Sequence, residues 1–149
     1  MMRRAMPHAE DCGVKVVLKP HGGITLTIDD LLKAYREVDH PSFGICYDPG
    51  NIIYYTKGEA RPEVGIDRIA PVTMAGIVKD CVVVDGRPDV MVTPGVGLVD
   101  FEKVFAGLVA AGFDGPLYVE CVGGEEIEDI DRNIRSTLNF VRGIFARLR

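Results

Sequence analysis

Short apolar runs and longer stretches of helical spacing take turns along this chain. Residues 14–18, 43–47, 72–78 and 117–121 are compact and rich in β-branched and aromatic side chains, the signature of strands. Between them, apolar residues recur every third or fourth position. Ile28, Leu31, Leu32, Tyr35 and Val38 fall on one helical face behind a Thr27/Asp30 capping box, and Pro41 closes that segment. Phe101, Val104, Phe105, Leu108 and Val109 form a second stripe, opened by Asp100 and stopped at Gly112. A long final helix is predicted from Ile127, Ile130, Ile134, Leu138, Val141 and Phe145. Residues 3–11 read as the end of a helix halted by Gly13, and 62–70 as a weak short one. Residues 81–92 read as a loop with a small hairpin turning at Asp85-Gly86.

Alternating strands and helices imply right-handed crossovers and a parallel sheet with helices outside it. The fold class is therefore α/β, with about four (β/α) units in one domain over residues 1–149. A closed (β/α)₈ barrel takes about 250 residues, so this pattern predicts half of one. Four units in a row would leave two unpaired strand edges. Self-association into a homo-oligomer, or membership of a longer chain, is the expected remedy.

Composition narrows the function classes. The formal net charge of −5 gives no basic surface for nucleic acid, and no apolar run is long enough to cross a bilayer. The opening Met-Met-Arg-Arg carries no secretory apolar stretch behind it. Cys12, Cys46, Cys81 and Cys121 are too scattered for a metal knuckle or a redox pair. They read as buried or half-buried reduced thiols, which points to the cytoplasm.

In a parallel α/β fold, ligands bind beyond the carboxyl ends of the strands. The strand-like runs end in His21-Gly22-Gly23, in Asp48-Pro49-Gly50-Asn51, at Lys79-Asp80 and in Glu120, so these residues are expected to converge on one site. Side chains alternate across a strand, so Lys19 shares a face with Val17, Asp48 with Cys46 and Gly44, and Glu120 with Tyr118. Val16, Leu18, Ile45, Tyr47, Leu117 and Val119 form the opposite, bulkier face that suits packing under helices. Both acids are thus expected to point inward to a shared pocket. Two inward carboxylates need a cation, a partner or hydrogen bonds. Metal binding, general acid/base work, a salt-bridge cluster and, for Asp48, a simple cap all remain open at this level.

Five segments occur in an informative order: Leu18-Lys19-Pro20-His21-Gly22-Gly23, Cys46-Tyr47-Asp48-Pro49-Gly50-Asn51, Val78-Lys79-Asp80, Gly95-Val96-Gly97-Leu98-Val99-Asp100-Phe101 and Tyr118-Val119-Glu120. Together they resemble the C-terminal half of the xylose isomerase-like sugar phosphate isomerase/epimerase family. That resemblance implies a (β/α)₈ barrel, a sugar, sugar phosphate or polyol substrate, and proton transfer next to a carbonyl. It implies a divalent metal (Mn, Mg, Co or Zn) held by Glu, Asp, His and Glu, of which Asp48 and Glu120 match two. It places Asp48 and Glu120 in the site and His21 beside the substrate. With Lys19 read as an internal cation among them, the expected catalytic residues are Lys19, His21, Asp48 and Glu120, and the expected substrate contacts His21, Asn51 and Lys79.

The chain departs from the family at two of the four ligands. Lys19 stands where the first Glu is expected, and Ala75-Gly76-Ile77 where the His is expected. Lys19, Asp48 and Glu120 alone sum to −1, the charge that three carboxylates, a neutral imidazole and a dication would have. A metal placed beside Lys19 meets about 4 kcal/mol of repulsion per unit charge at 4 Å and an effective dielectric of 20, so metal binding is expected to be weak or lost. Two buried carboxylates hold Lys19 as an ion-paired ammonium more readily than as a reactive amine. The leading expectation is an isomerase or epimerase with a degenerate metal site. The alternative is a non-catalytic half-barrel that binds a small ligand or partner. A DNA nuclease on the same barrel is disfavoured by the acidic charge.

Overall fold

The computed structural model describes residues 1–148. Helix α1 (Met2–Asp11) leads into β1 (Val16–Leu18), α2 (Ile28–Val38) and β2 (Phe43–Tyr47). Then come α3 (Pro49–Thr56), α4 (Ile66–Ile69), a 3-10 turn (Ala70–Val72) and β3 (Thr73–Val78). A hairpin of β4 (Val82–Val84) and β5 (Arg87–Asp89) follows, then α5 (Phe101–Ala110), β6 (Leu117–Val119) and α6 (Ile127–Arg147). The main sheet has the order β1-β2-β3-β6, and every neighbouring pair in it is parallel. Four parallel strands with helices outside them are the expected half-barrel, and β1 and β6 are its two edges.

Local chemistry sets these boundaries. Thr27 and Asp30 make the reciprocal capping box that starts α2, and Asp100 accepts the Lys103 N–H to start α5. Asp85 and Gly86 both take positive φ, as a two-residue hairpin turn requires. One helix escaped the sequence reading. Pro49-Gly50-Asn51 was expected to be a turn, yet it opens α3, with Asp48 as N-cap and Pro49 in the first turn. Proline there has no N–H to waste and a φ already suited to a helix. The expected helix over 62–70 shrinks to α4 plus the 3-10 turn.

Ile45, Tyr47 and Val78 face outward into the main core, with Ile52, Ile53, Phe101, Val104, Phe105, Leu108 and Ile144. Leu18, Leu117 and Val119 pack on the same cluster, so the bulky strand faces do lie under the helices. Each such side chain, fully buried, contributes about 1.5–3 kcal/mol. Helix α6 is held to α5 by Phe140 edge-on to Phe101 and Phe145 stacked on Phe105. Its predicted stripe is only partly used, since Ile127, Ile134 and Leu138 remain exposed. At the other edge Met6 of α1 packs with Val38, Phe43, Val16 and Leu18, so α1 lies beside α2 over the outer side of β1. The concave side of the sheet has its own small cluster of Cys46, Ala75 and Ile77. The thiols divide differently from the expectation: Cys46 and Cys81 are buried and Cys121 half-buried, but Cys12 is exposed.

Candidate functional site

Each strand of the main sheet delivers one charged side chain from the residue directly after its last: Lys19 after β1, Asp48 after β2, Lys79 after β3 and Glu120 after β6. The signs alternate around the arc, and the four side chains meet. Lys19 Nζ lies 3.1 Å from Asp48 Oδ2 and also pairs with Glu120 Oε2. Lys79 Nζ lies 3.4 Å from Asp48 Oδ2 and 2.5 Å from Glu120 Oε1. Lys19 and Glu120 come from opposite edges of the sheet, so their direct contact requires strands curled as in a barrel wall. The predicted convergence of Asp48 and Glu120 is realised through two lysines rather than one. With both amines protonated and both carboxylates ionised, the ring sums to zero. The sum of −1 drawn from Lys19, Asp48 and Glu120 omitted Lys79.

The members differ in access. The Asp48 side chain is fully buried and that of Lys79 nearly so, at 5 % exposure; Lys19 shows 21 % and Glu120 39 %. A molecule entering the mouth therefore meets Lys19 and Glu120, with Asp48 and Lys79 beneath. Asp48 Oδ1 accepts the Asn51 N–H at 2.9 Å, while Oδ2 faces both ammonium groups within ion-pair range. Burial pushes the Asp48 carboxyl above its ordinary value, against the lowering by the Asn51 N–H and the two lysines. Burial also opposes the charges of Lys19 and Glu120, but their mutual contact and their other ring partners outweigh it. Lys19 is raised, and Glu120, bonded by both lysines, is lowered. Lys19 is accordingly a charged donor and not a free amine. Burial likewise raises the Cys46 thiol beneath the ring, against the thiolate a nucleophile needs.

Asn51 and Lys79, expected to contact substrate, are buried inside the scaffold of the ring. Asn51 donates to the Pro20 carbonyl at 2.8 Å and accepts from Lys79 Nζ at 3.1 Å, tying the first turn of α3 to the ends of β1 and β3. Gly50 makes that approach feasible, because a Cβ there would stand 2.6 Å from the Lys79 carbonyl oxygen. His21 lies outside the ring. Its side chain is exposed and sits beside Tyr55, with ring centroids 5.8 Å apart, and its backbone N–H is held by Thr25 Oγ1. Just past Glu120 the chain turns through Cys121 in the left-handed region, φ 57°, a strained conformation of the sort found beside functional groups.

Asp80 directly follows Lys79 and has a different fate. It accepts backbone N–H bonds from Cys81, Gly95, Gly97 and Val99, at 2.8–3.0 Å, and so pins the glycine loop after the hairpin. Among the described residues, no three His, Cys, Asp or Glu side chains gather as a metal ion would need.

A family model described as xylose isomerase-like TIM barrel matches residues 1–144. No match is found among the curated proteins. Among solved structures, a xylose isomerase domain protein from Planctomyces limnophilus is 24% identical with a TM-score of 0.76, over 98% of this chain and 50% of that one. A xylose isomerase-like TIM barrel protein from Mycobacterium smegmatis, in complex with magnesium, gives 19% and 0.77 over 96% and 49%. D-Psicose 3-epimerase from Clostridium cellulolyticum H10, solved with D-tagatose, gives 17% and 0.76 over 95% and 53%. The chain thus spans about half the length of the solved structures it matches.

Proposed function

Because this chain belongs to the xylose isomerase-like TIM barrel family, we propose that its strand-end ring isomerises or epimerises a sugar, sugar phosphate or related polyol. The observation that carries this reading is the meeting of Lys19, Asp48, Lys79 and Glu120, one from each parallel strand, at the carboxyl end of the sheet. Glu120 is the carboxylate open to the mouth and takes the proton from the carbon next to the substrate carbonyl. Lys19, held charged by its two carboxylates, donates a hydrogen bond to the oxygen on which negative charge develops. Asp48 and Lys79 hold those two groups in place from below. Delivering that proton to the former carbonyl carbon, while the neighbouring hydroxyl proton passes to the former carbonyl oxygen, gives the isomer. Protonating the first carbon on its opposite face with a proton from a second acid gives the epimer, and His21 is the candidate for that acid. No step here passes through a metal.

Incubation with aldose and ketose panels in D₂O, followed by NMR, tests the reading. Deuterium is expected at the carbon beside the carbonyl, and Glu120→Gln should slow its uptake by about a hundredfold or more. Sugars that neither bind nor exchange would end the proposal. A second reading, ligand binding without turnover, is favoured by one feature: both lysines hold the Glu120 carboxyl below its usual range, which weakens it as a base. Binding without exchange would select that alternative.

A further inference from the structure

The family resemblance implies a divalent metal at the strand ends, and the side chains present do not fit one. Two ammonium groups stand within ion-pair range of both carboxylates that would serve as ligands. The ring is already neutral, so a dication added to it would bring an uncompensated double charge into a largely buried place beside two like charges. Yet Asp48 has the character of a carboxylate set to meet a cation. Its side chain is fully buried, and Oδ2 lies 3.1 and 3.4 Å from the two Nζ atoms and receives no backbone N–H. What faces that oxygen is positive charge supplied by side chains.

We propose that the strand-end ring is a cation site filled by its own lysines, with Lys19 as the residue that keeps divalent metal out. The two lysines are not equivalent in this respect. Lys79 is fixed from behind by Asn51 Oδ1 at 3.1 Å, and its neighbour Gly50 lies against its backbone, so it belongs to the scaffold. Among the described residues, Lys19 makes its polar side-chain contacts with Asp48 and Glu120, and it is the more exposed of the two lysines. Reversing its charge leaves three carboxylates around one remaining ammonium, a net charge of −2 that a single dication neutralises. Hard divalent ions favour such carboxylate oxygen sets.

The proposal rests on the ring's geometry and not on the catalytic reading. A chain that turns over no sugar leaves it standing, and a chain that isomerises sugar on a bound metal overturns it alone. The experiment is calorimetric titration with Mn²⁺ and Mg²⁺ of the EDTA-treated, dialysed full chain, with thermal midpoints followed in parallel. The unaltered protein is expected to give no saturable heat and no midpoint shift at millimolar ion. Lys19→Glu should bind one ion per chain, about a hundredfold or more tighter than the parent, with a midpoint that rises on metal addition. Adding Asp48→Asn to that variant should abolish the gain, which locates the ion at the ring. Should Lys19→Glu fail to fold, Lys19→Met, which removes the charge without reversing it, should still gain saturable binding. Stoichiometric sub-millimolar binding by the unaltered chain overturns the proposal. So does a folded Lys19→Glu or Lys19→Met protein with no gain in affinity, or a gain that survives Asp48→Asn.

Discussion

Asp48 and Asp80 are both fully buried aspartates beyond the ends of adjacent strands, and the fold treats them in opposite ways. Asp80 is surrounded by backbone: four N–H groups from Cys81, Gly95, Gly97 and Val99 converge on its two oxygens. Asp48 has one backbone N–H, from Asn51, and otherwise faces the ammonium groups of Lys19 and Lys79. Backbone bonds saturate the first carboxylate and lock a loop. The second has one oxygen that is met by side-chain ammonium groups in place of backbone. A carboxylate saturated by backbone is structural, whereas one balanced largely by side-chain charge can trade partners for a ligand.

The largest effect should come from Asp80→Asn. An amide nitrogen in place of either oxygen confronts two N–H donors with a third, and a loss of about 3–5 kcal/mol is expected in urea denaturation. A loss under 1 kcal/mol would mean that the loop has another anchor. Gly97→Ala attacks the same contact from the other side, since the new Cβ would sit 2.4 Å from Asp80 Oδ1 and 2.6 Å from the Cys81 carbonyl oxygen. About 2–3 kcal/mol is expected, together with faster proteolysis within residues 91–99. Asp48→Asn should be the mildest in stability, about 1–2 kcal/mol at neutral pH, because the burial cost of the charge it removes offsets part of the pairing lost by two lysines left facing Glu120 alone. Its imprint is on pH. The folded-state value of Asp48 is raised, so its contribution to stability is full below the ordinary 3.8 and declines as pH climbs through the raised value. Stability of the Asn variant relative to the parent should therefore increase over that window. Glu120, lowered, carries the opposite sign and loses its contribution as pH falls below 4.5 through its folded value. Urea midpoints measured between about pH 3.5 and 7 would read the difference, and parallel curves for the two proteins would refute it.

Much of this was written in the chain's local chemistry. The capping box of α2, the Asp100 cap of α5, the Asp85-Gly86 turn and the span of β2 emerge where turn and cap residues predict them. The inward direction of Asp48 and Glu120 follows from alternation along their strands. Helix α3 was hidden because Pro-Gly-Asn is as good a turn as a helix start, and the packing of Ile52 and Ile53 into the core decides between them. Lys79, expected to contact substrate, obeys the same rule as Lys19, Asp48 and Glu120: it is the first residue after a strand. Applied to all four strands alike, that rule would have found the whole ring. The four N–H groups on Asp80 had no local signal, since Gly95, Gly97 and Val99 reach it across the hairpin from well along the chain.

The two borders of the sheet come already furnished. Helix α1 roofs the outer side of β1, and α6 presents Ile127, Ile134 and Leu138 bare beyond its contacts with α5. A barrel carries one helix per seam between strands. A complement that closed this arc into a barrel would begin and end on a strand, four strands with three helices between them. Two identical arcs closing one barrel would crowd two helices, α1 of one and α6 of the other, onto a single seam, so closure by a second copy would require α1 to leave β1.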